Sequence, residues 1–240
     1  MLKVSKYTTG VIQTNVYFCL DDTSRECVII DPAANAAKII EIVEQQLHAL
    51  PKAILLTHGH FDHMMAAEET AEHFGVEIFA SEKERELLKT PAWNLSSNFQ
   101  LDIEITKFTA LKDQDVLPLL GHRWEVIATP GHTGGSVSYY VPLTEEETAA
   151  NAGLPEKERQ VPLLFSGDTL FRESYGRTDF PGGSETEILD SICNRLLVLP
   201  PETLVFPGHE GMSSIANERK YNPAAYLTMM HQKTSGREEK

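Results

Sequence analysis

The segment Thr57-His58-Gly59-His60-Phe61-Asp62-His63 is the most informative stretch of this sequence. It places three imidazoles and one carboxylate within six residues, directly after the apolar residues 53–56, which we interpret as a buried strand. Such a cluster arises by chance in on the order of one chain in a thousand of this composition, so it is far more specific than most short motifs. Neutral imidazole is a good ligand for zinc and other divalent transition metals, and aspartate adds an anionic oxygen. The segment therefore predicts a metal site at the end of a strand.

Three further ligand-type residues each follow a separate apolar run. They are His132 in ATPGHTGG (128–135), Asp168 in LLFSGD (163–168) and His209 in VFPGH (205–209). Strand ends commonly build functional sites, so we expect the four loops to converge on one edge of a sheet. The combined set exceeds what one tetrahedral ion can use, and two ions that share a ligand fit better. The candidate metal ligands are His58, His60, Asp62, His63, His132, Asp168 and His209.

The hydrophobic pattern predicts an α/β chain in which helices and strands mix to the end (α+β). Residues 15–31 are typical of a β-hairpin, and apolar residues recur at helical spacing after Asn35. Ser81 and Glu84 have the spacing of a capping box that opens another helix. No repeat or linker divides the sequence, so we expect one domain over residues 1–240.

Two segments are expected to lie outside the core of that domain. The acidic residues 143–160 connect two predicted strands and are too long for a tight hairpin, so they predict a surface insertion. Thr144 is placed to start a short helix within it. Residues 234–240 predict a frayed tail.

Composition narrows the classes of partner. The 240 residues carry 21 Lys and Arg against 35 Asp and Glu, which gives a net charge of −14 and disfavours nucleic acid and anionic membranes. An acidic protein can still hold an anionic substrate at bound divalent cations. We expect a cytoplasmic protein, because no run approaches the roughly 20 apolar residues of a membrane span, the N-terminus lacks a secretory signal, and the three cysteines form no CxxC. The sequence leaves the oligomeric state open.

The motif HxHxDH, followed by GH, SGD and PGH, resembles the metallo-β-lactamase fold superfamily over nearly the whole chain. The resemblance implies an αββα sandwich with a dinuclear site at its edge and two divalent ions, for which zinc is the leading choice and iron or manganese are alternatives. It also implies ligand roles. True zinc β-lactamases lack a bridging aspartate at the position of Asp168, which makes antibiotic hydrolysis a minor possibility. The implied roles are His58, His60 and His132 on the first metal, Asp62, His63 and His209 on the second, and Asp168 between them.

Within the superfamily, residues 166–184 and 217–223 resemble hydroxyacylglutathione hydrolases (glyoxalase II), in particular their compact single-domain bacterial relatives. The resemblance implies hydrolysis of a small-molecule thioester, S-lactoylglutathione or a related compound, by a metal-bridging hydroxide that Asp62 orients as the catalytic carboxylate. It places Arg177 toward the glutathione moiety as a substrate-binding residue. Where the family has tyrosines near these positions, this chain has Asp179 and Gly211. Trp93 and Phe99 are candidates for the pocket wall or for core packing.

A second resemblance leaves another reaction open. Residues 176–180 and 218–223 are also similar to persulfide dioxygenases, which use one iron held by two histidines and one aspartate to oxidise glutathione persulfide. By that resemblance His58, His132 and Asp168 would hold the iron, and open coordination positions would suit oxygen chemistry. The PGGS ending at residues 181–184 favours the hydrolase.

Overall fold

Two facing β-sheets form the centre of the fold, and helices cover the outer face of each sheet. The protein is described by a computed structural model over residues 1–155 and 158–227. This helix–sheet–sheet–helix layering confirms the predicted αββα architecture. The predicted tail at residues 234–240 lies outside the described residues.

The first sheet has six strands in sequence order. Its first three strands are antiparallel and the later ones are parallel, with α1 (Ala36–Glu41) and α3 (Ala67–Phe74) in the crossovers. The parallel part directs the carboxyl ends of successive strands to one edge. The strands are β1 (Leu2–Thr9), β2 (Thr14–Asp21), β3 (Glu26–Ile30), β4 (Leu50–Leu55), β5 (Glu77–Ser81) and β6 (Thr109–Leu111).

The second sheet also has six strands, in the order β14-β13-β10-β9-β8-β7. The second and third strands in this order, β13 and β10, are parallel and direct two more strand ends to the same edge of the molecule. A small ribbon of β11 (Leu170–Phe171) and β12 (Ser174–Tyr175) follows β10. The strands are β7 (Val116–Leu119), β8 (His122–Ala128), β9 (Val137–Val141), β10 (Leu163–Gly167), β13 (Leu204–Pro207) and β14 (Ser213–Ser214).

The core has three apolar layers that follow the alternation of side chains along each strand. In β2, Phe18 packs outward under α1 and α3, whereas Tyr17 and Cys19 point between the sheets toward Trp124 and Phe165. The third layer joins the second sheet to two further helices. The remaining α-helices are α2 (Phe61–Met64), α4 (Arg85–Leu88), α5 (Glu145–Asn151), α6 (Glu185–Asp190) and α7 (Ile215–Tyr221), with π-helical extensions of α1 and α6 at Ile42–Leu47 and Ser191–Leu196. Short 3-10 helices lie at Glu82–Glu84 and Ser96–Phe99.

Local sequence signals are mostly confirmed. Helix α5 begins with a complete capping box between Thr144 and Glu147, as the acidic insertion predicted. Ser81 caps the turn after β5 by accepting a hydrogen bond from Lys83 N. The predicted partner of that cap, Glu84, is buried and turns inward, so the capping box at Ser81 and Glu84 is wrong. Within the described ranges, every helix is too short or too polar to cross a lipid bilayer.

Candidate metal centre

All four ligand-bearing loops leave the sheets at one edge of the sandwich. The segment after β4 carries His58 to His63, the loop between β8 and β9 carries His132, and the turns after β10 and β13 carry Asp168 and His209. A backbone hydrogen bond of 2.9 Å from Val137 N to Thr57 O joins the two sheets there. The structure thus brings together all seven candidate ligands that the sequence predicts.

Three overlapping groups of three side chains lie close enough to hold a metal ion, namely the two trios described below and a third group of His58, His63 and Asp168. The first trio is His58, His60 and His132, with His60 Nδ1 lying 3.1 Å from His58 Nε2 and 3.0 Å from His132 Nε2. The second trio is Asp62, His63 and His209, with 3.4 Å between the Nε2 atoms of the two histidines. In the second trio, Asp62 Oδ2 is 3.5 Å from His63 Nε2 and 3.6 Å from His209 Nε2.

Asp168 lies between the two trios. Its Oδ2 is 3.6 Å from His132 Nε2 and 3.3 Å from His209 Nε2, and its Oδ1 is 3.4 Å from His63 Nε2. Ligands about 2.1 Å from a tetrahedral zinc ion are about 3.4 Å apart, which is the separation found here. Asp168 Oδ1 is buried and has no hydrogen-bond partner among the described residues. A buried carboxylate oxygen without a partner is unfavourable, and a bound cation would satisfy it. The donor set therefore fits two divalent ions that share Asp168.

Protonation preferences differ between the trios. Burial and the neighbouring imidazoles lower the pKa of His58, and the same causes lower the pKa of His60 to about 3. Burial also opposes charge on His63 and His209, but nearby carboxylates, Asp168 foremost, raise the pKa of both. His58 and His60 are thus neutral imidazoles, whereas His63 and His209 lie in a negative field that favours a cation.

Asp31 forms a hydrogen bond with His63 of the second trio, at the ring nitrogen that does not face the other ligands. Its Oδ2 is 3.0 Å from His63 Nδ1, and its two oxygens accept hydrogen bonds from Thr57 N at 2.8 Å and Thr57 Oγ1 at 2.7 Å. A carboxylate that accepts the Nδ1 proton leaves the Nε2 lone pair free for a metal. Two other groups act similarly: His132 Nδ1 lies 2.8 Å from the carbonyl oxygen of Arg177, and Thr14 donates to Asp62 Oδ2 at 2.6 Å.

A cavity of about 910 Å³ opens onto the ligands. Arg177 lies on its wall, but its guanidinium makes two 2.6 Å hydrogen bonds to Asp179 and stacks over the Phe180 ring. Phe99 also lines this cavity and packs on Phe61, whereas Trp93 lies by a separate groove. Of the two aromatic candidates, Phe99 is therefore the one at the pocket.

Two buried carboxylates at the site, Asp31 and Glu84, are not among the residues predicted from sequence. Asp31 directly follows the apolar residues Val28, Ile29 and Ile30, so the rule that found Asp168 and His209 applies to it too. Glu84 carries no such signal, because a Ser-x-x-Glu pattern is the same whether the glutamate faces its own helix or another loop.

Comparison with known protein families gives a direct match. A model of the metallo-beta-lactamase superfamily matches residues 9–145. The probable metallo-hydrolase YqgX of Bacillus subtilis is 34% identical over 225 residues, which cover 92% of this chain and 97% of that protein. The hydroxyacylglutathione hydrolase GloC of Haemophilus influenzae is 33% identical over 205 residues, covering 84% and 88%.

Solved structures agree with the sequence relatives. The B3 metallo-beta-lactamase BLEG-1 has a TM-score of 0.80 and 36% identity, covering 93% of this chain and 99% of that one. TTHA1623, in a di-iron-bound form, has a TM-score of 0.73 and 30% identity, covering 91% and 98%. ETHE1 from Myxococcus xanthus has a TM-score of 0.70 and 25% identity, covering 93% and 85%.

Proposed function

Because the chain belongs to the metallo-beta-lactamase superfamily, we propose that it is a dinuclear metal-dependent thioesterase. Its leading substrate is S-lactoylglutathione or a related acylglutathione. The observation that carries the proposal is the pair of ligand trios that share Asp168 at the floor of one cavity. The similarity to a hydroxyacylglutathione hydrolase, GloC, supports the choice of substrate.

The chemistry divides between the ions and the chain. When bound, two divalent cations would supply a water molecule of lowered pKa and polarise the thioester carbonyl. Asp62, which lines the cavity and receives a hydrogen bond from Thr14, would orient the attacking water. The leaving thiol has an ordinary pKa of roughly 8.5, so it departs as a thiolate without a strong general acid. This agrees with a cavity floor built of metal ligands.

The walls of the cavity set how the glutathione part is held. Arg177 is the predicted contact, and a substrate carboxylate would have to compete with Asp179 for its guanidinium. Lys6 lines the same cavity, with its ammonium 3.1 Å from the carbonyl oxygen of Glu210, and adds a second cation. Two basic side chains at the mouth suit a thiol carrier that bears carboxylates.

A persulfide dioxygenase is the second candidate, supported by the similarity to ETHE1. In that reaction a single iron would be held by His58, His132 and Asp168, and the two latter residues approach within 3.6 Å here. A third activity, β-lactam hydrolysis, belongs in the same tests because BLEG-1 is 36% identical to this chain. The prediction that Asp168 disfavours it remains open to those tests.

The experiment measures metal content and turnover on the same protein preparation. S-lactoylglutathione hydrolysis is followed with and without a chelator, beside oxygen uptake with glutathione persulfide and hydrolysis of a chromogenic cephalosporin. We expect about two metal ions per chain and chelator-sensitive thioester hydrolysis as the fastest reaction. One iron per chain with persulfide-dependent oxygen uptake would replace the proposal by the dioxygenase.

Asp168→Ala tests the shared carboxylate. This variant removes the carboxylate whose oxygens face both trios, so metal content and thioesterase activity should fall together. Asp22→Ala is the matched control, because Asp22 is an exposed aspartate that pairs with Lys3 away from the cavity. Thioesterase activity retained in Asp168→Ala would contradict the dinuclear assignment.

Two proposals about context accompany the activity. We propose that residues 1–240 form one domain and that the protein works in the cytoplasm, where glutathione thioesters and reduced thiols occur together. Cys19 and Cys27 are buried thiols, and burial raises the pKa of Cys27 to about 12, which makes it unreactive.

A further inference from the structure

Glu84 is a buried carboxylate that links the two loops of the first trio. Its side chain is almost fully enclosed, with 1% of the residue exposed. Oε2 accepts a hydrogen bond from Gly59 N at 2.6 Å, and Gly59 lies between His58 and His60. Oε1 accepts a hydrogen bond from Thr133 Oγ1 at 3.0 Å, and Thr133 directly follows His132. Each carboxylate oxygen therefore serves one ligand loop.

The two loops are shaped to receive this carboxylate. Gly135 N also donates to Glu84, and a Cβ atom at position 135 would collide with Oε1. A Cβ atom at position 59 would lie 3.1 Å from Oε2 and 2.6 Å from Leu87. Both loops thus have a glycine where their backbone approaches Glu84, so a side chain at either position would force the loop away.

Packing alone gives no reason for a charged group at this position. Glu84 forms no ion pair with a basic side chain in the described part of the chain, and its side chain makes no capping bond to α4. Burial raises the pKa of Glu84, and its hydrogen bonds to Gly59, Thr133 and Gly135 only partly offset this effect. Burying a carboxylate with neutral partners costs stability. An isosteric amide would avoid much of that cost, but it could not accept hydrogen bonds with both ends.

We propose that Glu84 is a positioning residue that sets the affinity of the first trio for its metal. It touches neither the metal ligands' coordinating atoms nor the cavity that opens onto them. Its two oxygens fix the distance between the loop of His58 and His60 and the loop of His132. The inference deepens the proposed function only in requiring that the first trio binds a cation, and it makes no assumption about the substrate.

Glu84→Gln tests this role. The amide keeps one acceptor oxygen, and its NH₂ group faces a donor on whichever loop it meets, so one of the two loops loses its partner. We expect the metal at the first trio to bind about 10- to 100-fold more weakly, while the metal at the second trio keeps its affinity. Glu86→Gln is the matched control, because Glu86 is an exposed glutamate two residues away that pairs with Lys89.

The measurement is competitive titration of zinc against a chromophoric chelator, together with the visible absorption of the cobalt-loaded protein. Turnover of Glu84→Gln should recover within a few-fold when metal is in excess, because the defect is one of affinity. If Glu84→Gln does not fold, Thr133→Val removes the hydroxyl donor to Oε1 together with the 2.7 Å hydrogen bond between Thr133 Oγ1 and Ser136 Oγ, and Thr133→Ser restores both. Thr133→Val should then weaken one metal and Thr133→Ser should rescue it.

Two outcomes would overturn the role of Glu84. One is an unchanged affinity for both metals in Glu84→Gln, and the other is equal weakening of both. Selective weakening of the metal at the first trio supports it whether or not any thioester is hydrolysed, and selective weakening of the metal at the second trio contradicts it. Failure of the thioesterase proposal would instead appear in the wild-type protein, as full metal loading without turnover.

Discussion

Asp31→Asn isolates the effect of one negative charge behind the second trio. Asp31 is 2% exposed and has a φ of 49°, a left-handed backbone conformation that asparagine adopts as readily as aspartate. The substitution therefore keeps the backbone and the side-chain volume. It replaces one carboxylate oxygen, which accepts from His63 or Thr57, by an NH₂ group that can only donate.

Either orientation of the new amide disrupts a hydrogen bond. If NH₂ takes the place of Oδ2, it donates to His63 Nδ1 and moves the imidazole proton to Nε2, the atom that faces Asp168. If NH₂ takes the place of Oδ1, it opposes the Thr57 N–H. Loss of such a supporting partner typically weakens metal binding 10- to 100-fold, which is about 1.4 to 2.7 kcal/mol. An unpaired buried donor adds about 1 to 3 kcal/mol of lost folding stability.

The assay is the same zinc competition, read for both metal equivalents, with thermal unfolding of the metal-free protein. We expect Asp31→Asn to weaken the metal at the second trio, the opposite selectivity from Glu84→Gln. Asp22→Asn is the control, because Asp22 lies on an exposed turn, and it should leave the affinity for both metal ions unchanged. Wild-type affinity at the second trio in Asp31→Asn would refute the argument that the Asp31 charge fixes the tautomer of His63.

Three further changes have expected outcomes. Gly208→Ala should reduce metal content by elemental analysis, because its Cβ would lie 2.6 Å from His63 Cε1 and collide with Asp168 Oδ1. Alanine at position 211, where nothing lies within 4 Å, should leave metal content unchanged. Asp179→Asn should lower the KM for S-lactoylglutathione by a few-fold at unchanged kcat, since it releases the Arg177 guanidinium for the substrate. An unchanged KM would contradict the predicted role of Arg177 in substrate binding. Burial opposes the charge of Glu147, but its hydrogen bonds to His122 and Thr144 hold its pKa below the ordinary value, so the stability it adds is present at pH 7 and lost on acidification. Glu147→Gln should therefore lower the free energy of unfolding by about 1 kcal/mol at pH 7, with the difference from the wild type closing below about pH 4. A difference independent of pH would show that the charge has no role.

The sequence predicts those site residues that are positioned by the strand directly before them, and not those positioned by partners far away in the chain. The candidate metal ligands are predictable because the four loops that carry them each follow an apolar strand, and parallel strand ends bring those loops together. Asp31 obeys the same rule and was missed because a single aspartate after a strand is usually a turn residue. Glu84 could not be found in this way, since its partners Gly59 and Thr133 lie 25 and 49 residues away. The pairing of Arg177 with Asp179 is equally hidden, because their spacing permits contact without requiring it.

The two supporting carboxylates act differently because the trios differ in protonation. His58 and His60 have lowered pKa values, so they are already neutral at pH 7 and the first trio needs geometry, which Glu84 supplies through the backbone. The pKa of His63 is raised, so an ion entering the second trio must displace a proton, and Asp31 keeps the remaining proton on Nδ1. Metal affinity at the second trio should therefore weaken first as the pH falls. Metal retained per chain, measured after dialysis at decreasing pH, should drop from two to one before it reaches zero; simultaneous loss of both ions would contradict this difference between the trios.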